Sequence, residues 1–111
     1  MSHAVLPVAV NGLTTAINAA VTATAAGISI ATLGGNTLMI SVGTIAASAF
    51  PIYIMFGGPN LSATLTATTG WRLPAGFVGR INTPPGATHL YHLRAAATDS
   101  DISVMGATGG N

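Results

Sequence analysis

Trp71-Arg72-Leu73-Pro74-Ala75-Gly76-Phe77-Val78-Gly79-Arg80-Ile81-Asn82-Thr83-Pro84-Pro85-Gly86-Ala87-Thr88-His89-Leu90-Tyr91-His92-Leu93-Arg94, continued by Asp101-Ile102-Ser103-Val104-Met105, is the stretch whose reading decides the fold. Two turns divide it. In Pro74-Ala75-Gly76 and Thr83-Pro84-Pro85-Gly86, proline presets one φ angle and glycine accepts a positive one. Between and after the turns, Phe77 to Ile81, Thr88 to Arg94 and Asp101 to Met105 are rich in β-branched and aromatic residues and read as strands. Ala95 to Ser100 reads as a loop, and Gly106 to Asn111 as a small polar tail.

Outward from this stretch the same pattern continues. Phe50-Pro51-Ile52-Tyr53-Ile54-Met55-Phe56 is apolar on both faces, as in a central or covered strand, and it ends at Gly57-Gly58-Pro59-Asn60. Leu61 to Thr68 alternates apolar and hydroxyl residues and reads as a further strand. Ile28-Ser29-Ile30-Ala31 and Thr37-Leu38-Met39-Ile40-Ser41-Val42 flank Gly34-Gly35-Asn36, so the pair reads as a hairpin. Leu13 to Ala26 is ambiguous. Leu13, Ile17 and Val21 recur every four residues as on a helix face, yet Val21 to Ala25 alternates; a short helical turn followed by a strand is expected. Pro7 within Val5-Leu6-Pro7-Val8-Ala9-Val10 favours an extended arm over a core strand.

The expected architecture is therefore all-β: a sandwich or barrel of about seven to eight short antiparallel strands. Residues 1–12 are expected as an extended N-terminal arm and 13–111 as one domain.

Charge is the compositional outlier. Asp, Glu, Lys and Arg make up 5% of the chain, against about 25% in ordinary globular proteins. All five charged residues (Arg72, Arg80, Arg94, Asp99 and Asp101) lie within the decisive stretch and the loop that follows it. A monomer of this size exposes roughly 5,600 Å², and so few charges cannot cover that area in the ordinary way. A net charge of +1 also gives little repulsion between copies. The expectation is a homo-oligomer or a chain covered by a partner. Three scattered arginines and no lysine exclude a phosphate-binding stripe, hence nucleic acid. Leu38 to Gly57 is uncharged and long enough to span a bilayer. Ser41, Gly43, Thr44, Ser48 and Pro51 interrupt it and no basic residues flank it, so no membrane span is expected.

No residue set identifies a reaction, and no catalytic residue, cofactor or metal site is expected. His89 and His92 are three apart on a strand, which sends them to opposite faces and prevents a shared metal ion. One is expected exposed or at an interface, the other hydrogen-bonded. Asp99 and Asp101 are too few for a calcium site, which takes about six to eight oxygen ligands. Tyr53, Trp71 and Tyr91 are read as core or interface anchors in preference to a sugar-stacking platform. Arg72 is expected to stack on an aromatic ring or to pair with Asp99 or Asp101 of the same or another chain.

Leu73-Pro74-Ala75-Gly76, Thr83-Pro84-Pro85-Gly86-Ala87-Thr88-His89-Leu90 and Ile102-Ser103-Val104 together resemble small virion proteins of tailed bacteriophages, most closely the capsid decoration, or cement, proteins. The resemblance covers about a third of the chain. It implies a β-sandwich or jelly roll carried on the capsid surface of a virion. Such a protein acts as a symmetric dimer or trimer that clamps neighbouring copies of the major capsid protein. It also implies that the arm reaches a neighbour, so the interface candidates become Val5, Leu6, Val8, Val10, Tyr53, Trp71, Arg72 and Tyr91. Other virion parts (head–tail, tail or fibre components) and a carbohydrate-binding β-sandwich are the alternatives.

Overall fold

The computed structural model describes residues 8–10, 16–31, 33, 37–43 and 50–109. Among them the chain is all-β, with nine strands in two antiparallel sheets and a single turn of 3-10 helix. In chain order the strands are β1 (Val8–Val10), β2 (Ile17–Val21), β3 (Ala26–Ser29), β4 (Thr37–Val42), β5 (Ile52–Gly57), β6 (Trp71–Leu73), β7 (Val78–Asn82), β8 (His89–Arg94) and β9 (Ser100–Gly109).

Sheet A runs β1-β9-β4-β7, with β2 also pairing along β9; sheet B runs β3-β8-β5-β6. The pairings nest. β2 meets β9, β3 meets β8, β4 meets β7, and β5 meets β6, all antiparallel. That is one long hairpin rolled over on itself, and the roll brings β4 against β9 and β5 against β8. From β2 onward every connection except β5–β6 joins the two sheets.

Strand alternation builds the core. Leu38, Ile40 and Val42 of β4 point the same way as Ile102 and Val104 of β9; Ile52, Ile54 and Leu90 of sheet B face them, and all are buried in one cluster. Each such side chain contributes about 1.5–3 kcal/mol when fully removed from water.

Both turns of the decisive stretch form as the residues demand. Phe77 N–H donates to Pro74 C=O over 3.2 Å, and Ala87 N–H to Pro84 C=O over 3.1 Å. Glycine takes the third position in each, with Gly86 at φ 83°. The apolar run 50–56 becomes β5, an interior strand between β8 and β6. The Leu38 to Gly57 stretch holds parts of two strands, and no helix among the described residues is long and apolar enough to cross a membrane.

Several local expectations are overturned. The hairpin expected around Gly34-Gly35-Asn36 does not exist, because β3 and β4 belong to different sheets. Pairing of β3 with β8 and of β4 with β7 and β9 outweighs the local turn signal. Ile17 to Val21 is a strand and not a helical turn. A spacing of four fits both the helical and the strand period, and burial settles on the second: Ile17, Ala19 and Val21 face inward while Asn18 and Ala20 are exposed. Residues 13–15 lie outside the described residues. The tail expected from Gly106 is instead the end of β9, whose backbone pairs with β1 as far as Gly109. Trp71–Leu73, which the sequence leaves unassigned, is a strand pairing with β5.

Leu61 to Thr68 is likewise not a strand. It contains the 3-10 turn Ser62–Thr64 and then a knot of threonines. Thr66 N–H donates to Thr69 Oγ1 over 2.9 Å, and Thr69 Oγ1 donates to Thr64 C=O over 2.7 Å. Thr66 Oγ1 accepts from the N–H groups of Thr68 and Thr69. Hydroxyl groups that bond the local backbone compete directly with strand ladders, and here they win.

Candidate interaction surface

The segment 58–70 leaves β5 and returns as β6, crossing the outer face of sheet B as a strap. Asn60 makes the entry turn at φ 61°, a conformation that asparagine tolerates better than most residues. Tyr91, on the outward side of β8, holds the strap. Its hydroxyl donates to Gly58 C=O and accepts from Leu61 N–H, the latter over 3.0 Å. Its ring stacks on His89 with centroids 5.9 Å apart. Beneath the strap's return, Leu65 is buried against Gly70 and Tyr53.

Tyr91 also dictates the residue opposite it. Gly27 pairs with Tyr91 across β3 and β8, and a Cβ at position 27 would lie 2.6 Å from Tyr91 Cε1. The ring cannot yield, since its hydroxyl is bonded on both sides. Gly27→Ala is expected to cost about 1–3 kcal/mol as an overpacking penalty, measured by denaturant unfolding. A matching loss in a Gly27→Ala variant that also carried Tyr91→Ala would show that the clash is not the cause.

The interface candidates therefore divide. Tyr91 is 2% exposed, so it has no surface to offer a neighbour, and its expected role is corrected to that of strap anchor. Tyr53 is half-buried beneath the strap. Trp71 is 68% exposed on β6, and Arg72 beside it is also exposed. The aromatics share no open platform. Val8 and Val10 sit on β1, whose backbone pairs with β9; Val5 and Leu6, with most of the expected arm, lie outside the described residues.

Asp99 pairs with Arg94 over 2.6 Å and not with Arg72. Both partners are partly solvent-exposed, so the pair contributes at most about 1 kcal/mol. The histidines do face opposite ways. His89 is half-buried, its Nδ1 sharing a hydrogen bond with Thr88 Oγ1 at 2.9 Å. His92 is corrected: it is neither exposed nor at an interface, but buried between Ile54 and Ala26 on the inner side of sheet B. Its Nδ1 has no hydrogen-bond partner, and desolvation holds its pKa below 6.5. The period-two pattern could have assigned His92 to the core, since Leu90 shares its face.

Among the described residues no cluster of three metal-ligating side chains occurs. A shallow cleft of about 260 Å³ lies between Phe56–Gly58 and the Pro84–Ala87 turn, and no ionisable side chain lines it. Among the described residues the exposed large apolar side chains are Leu61, Trp71 and Val78. They fall on the strap and on the two strands that end the sheets on one side, β6 and β7. No family model, curated protein or solved structure matches the chain.

Proposed function

We propose that this protein is a structural component of a larger assembly: a decoration or cement protein of a bacteriophage virion, lodged between subunits of the capsid shell as a symmetric oligomer. The nested antiparallel pairing of two sheets supports the reading, since the jelly roll we infer from it is an architecture common in capsid domains. The observation that carries most weight is the bare surface. The fold exposes 5885 Å², while the chain has only five charged residues. A surface so short of charge is better suited to lying against other protein than to standing free in water. Binding the assembled shell in preference to its free parts would stabilise it by mass action, and repetition over a symmetric lattice would multiply weak contacts.

Native mass spectrometry and quantitative protein staining of purified particles test this reading. Hundreds of copies per particle are expected of a cement protein, and a handful would mark a head–tail, tail or fibre component. A monodisperse monomer at high concentration that co-purifies with no particle would end the proposal. A carbohydrate-binding module is less favoured, because burying Tyr91 and half-burying Tyr53 leaves no aromatic platform for a sugar.

A further inference from the structure

We propose that the β6–β7 edge docks an extended, carboxylate-bearing segment of a partner protein, which adds to sheet A as a strand beside β7. The inference deepens the assembly reading and rests on it, by naming the surface through which the chain is held. Three observations meet at this edge. First, among the described residues β6 ends sheet B and β7 ends sheet A, each with one backbone edge unpaired, and the short link 74–77 between them keeps the two edges on the same side of the sandwich. Second, Trp71 and Val78, exposed by 68% and 73%, lie on these two strands. Tryptophan and arginine are the residues most enriched among strong interface contacts. Third, Arg72 and Arg80 stand on the outward sides of their sheets, paired in register with Tyr53 and Met39. Arg80 therefore stands beside the open edge of β7, while Arg72 points away from it on the far side of sheet B. Among the described residues neither arginine has a carboxylate partner; the ion pair present there is Arg94 with Asp99.

A strand added beside β7 would satisfy the open ladder and cover Val78. Carboxylates on its outer face would meet Arg80 in the forked geometry arginine favours, and apolar side chains on its inner face would lie toward Trp71, whose register with Ile54 puts it on the inner side of sheet B. A second copy is a poorer occupant. Antiparallel pairing of β7 with its own copy, centred on the strand, sets Arg80 against Arg80, and like charges directly opposite are destabilising.

The test uses the isolated 111-residue chain and the emission of Trp71, its single tryptophan. The probes are two synthetic peptides of about eight residues, long enough for one strand, alternating valine with glutamate or valine with lysine. The glutamate peptide is expected to shift Trp71 emission to the blue and to bind about fivefold more tightly than the lysine peptide, as a pair with Arg80 in place of a like-charge contact allows. Added salt should erode the preference, and R80E should reverse it. An unshifted spectrum with both peptides, or equal binding that charge reversal leaves unchanged, would overturn the proposal. So would a concentration-dependent blue shift without peptide together with a doubled native mass, which would assign the edge to a second copy. Copy number on particles tests the assembly role whether or not the peptide binds, so the two readings can fail separately.

Discussion

Tyr91→Ala is expected to lower unfolding stability by about 3–5 kcal/mol, the usual cost of removing a large buried aromatic side chain. The loss has two parts that separate experimentally. Truncation opens space between Gly27 and the strap, and it removes the stacking partner of His89. It also deletes the hydroxyl that ties Gly58 C=O and Leu61 N–H to sheet B. Tyr91→Phe isolates the second part, removing two part-buried hydrogen bonds to the strap backbone at a cost of about 0.5–1.5 kcal/mol each. Amide exchange should then speed up within 58–70 while the amides of β4 and β9 stay protected. Uniform acceleration across both sheets in the Phe variant would mean that the hydroxyl supports the whole sandwich and not the strap alone.

The second large effect comes from acid. His92 lies on the inner face of sheet B, with Ile54 and Ala26 as its cross-strand neighbours. Across the core stand the apolar side chains of β2, β4 and β9; Asp101 alternates to the outer side, and Arg94 is engaged by Asp99. No carboxylate faces the imidazole from the described residues, so a proton placed on it would be a charge without a counter-ion. The folded pKa is accordingly held below 6.5 by burial, while the unfolded chain titrates near about 6.5. Between those values the unfolded state binds more protons than the folded one. The stability contributed by neutral His92 is therefore complete above pH 6.5 and is lost as the pH falls from there through the folded pKa. Thermal melts across that window should show a falling midpoint. In His92→Leu the slope should flatten, because the apolar side chain has no proton to take up. A slope unchanged in the Leu variant would place the acid sensitivity elsewhere.

Much of the architecture was legible in the residues because the signals are short-range and redundant. At Pro84-Pro85-Gly86 and Pro74-Ala75-Gly76, proline and glycine restrict φ directly, whatever surrounds them. In 50–56 and 88–94 the β-branched and aromatic residues agree with the flanking turns, and both segments are strands. The near absence of charge is a property of composition alone, and it motivates the assembly reading before any contact is known.

Other features could not be read locally. Gly34-Gly35-Asn36 looked like a hairpin turn, but β3 found β8 some sixty residues away in the sequence. The alternating Leu61 to Thr68 lost its strand because threonine hydroxyls satisfied the backbone nearby and Tyr91 fastened the segment across the sheet. Trp71, Tyr53 and Tyr91 carried the same aromatic signal, and only the strap separated an exposed edge residue from a half-buried one and a buried anchor. The residues by themselves determined strand, turn and scarcity of charge, since φ preferences and side-chain periodicity act over a few residues. Which strand pairs with which, which face is covered, and which edge stays open were decided by the fold, because those choices depend on surfaces brought together from distant parts of the chain.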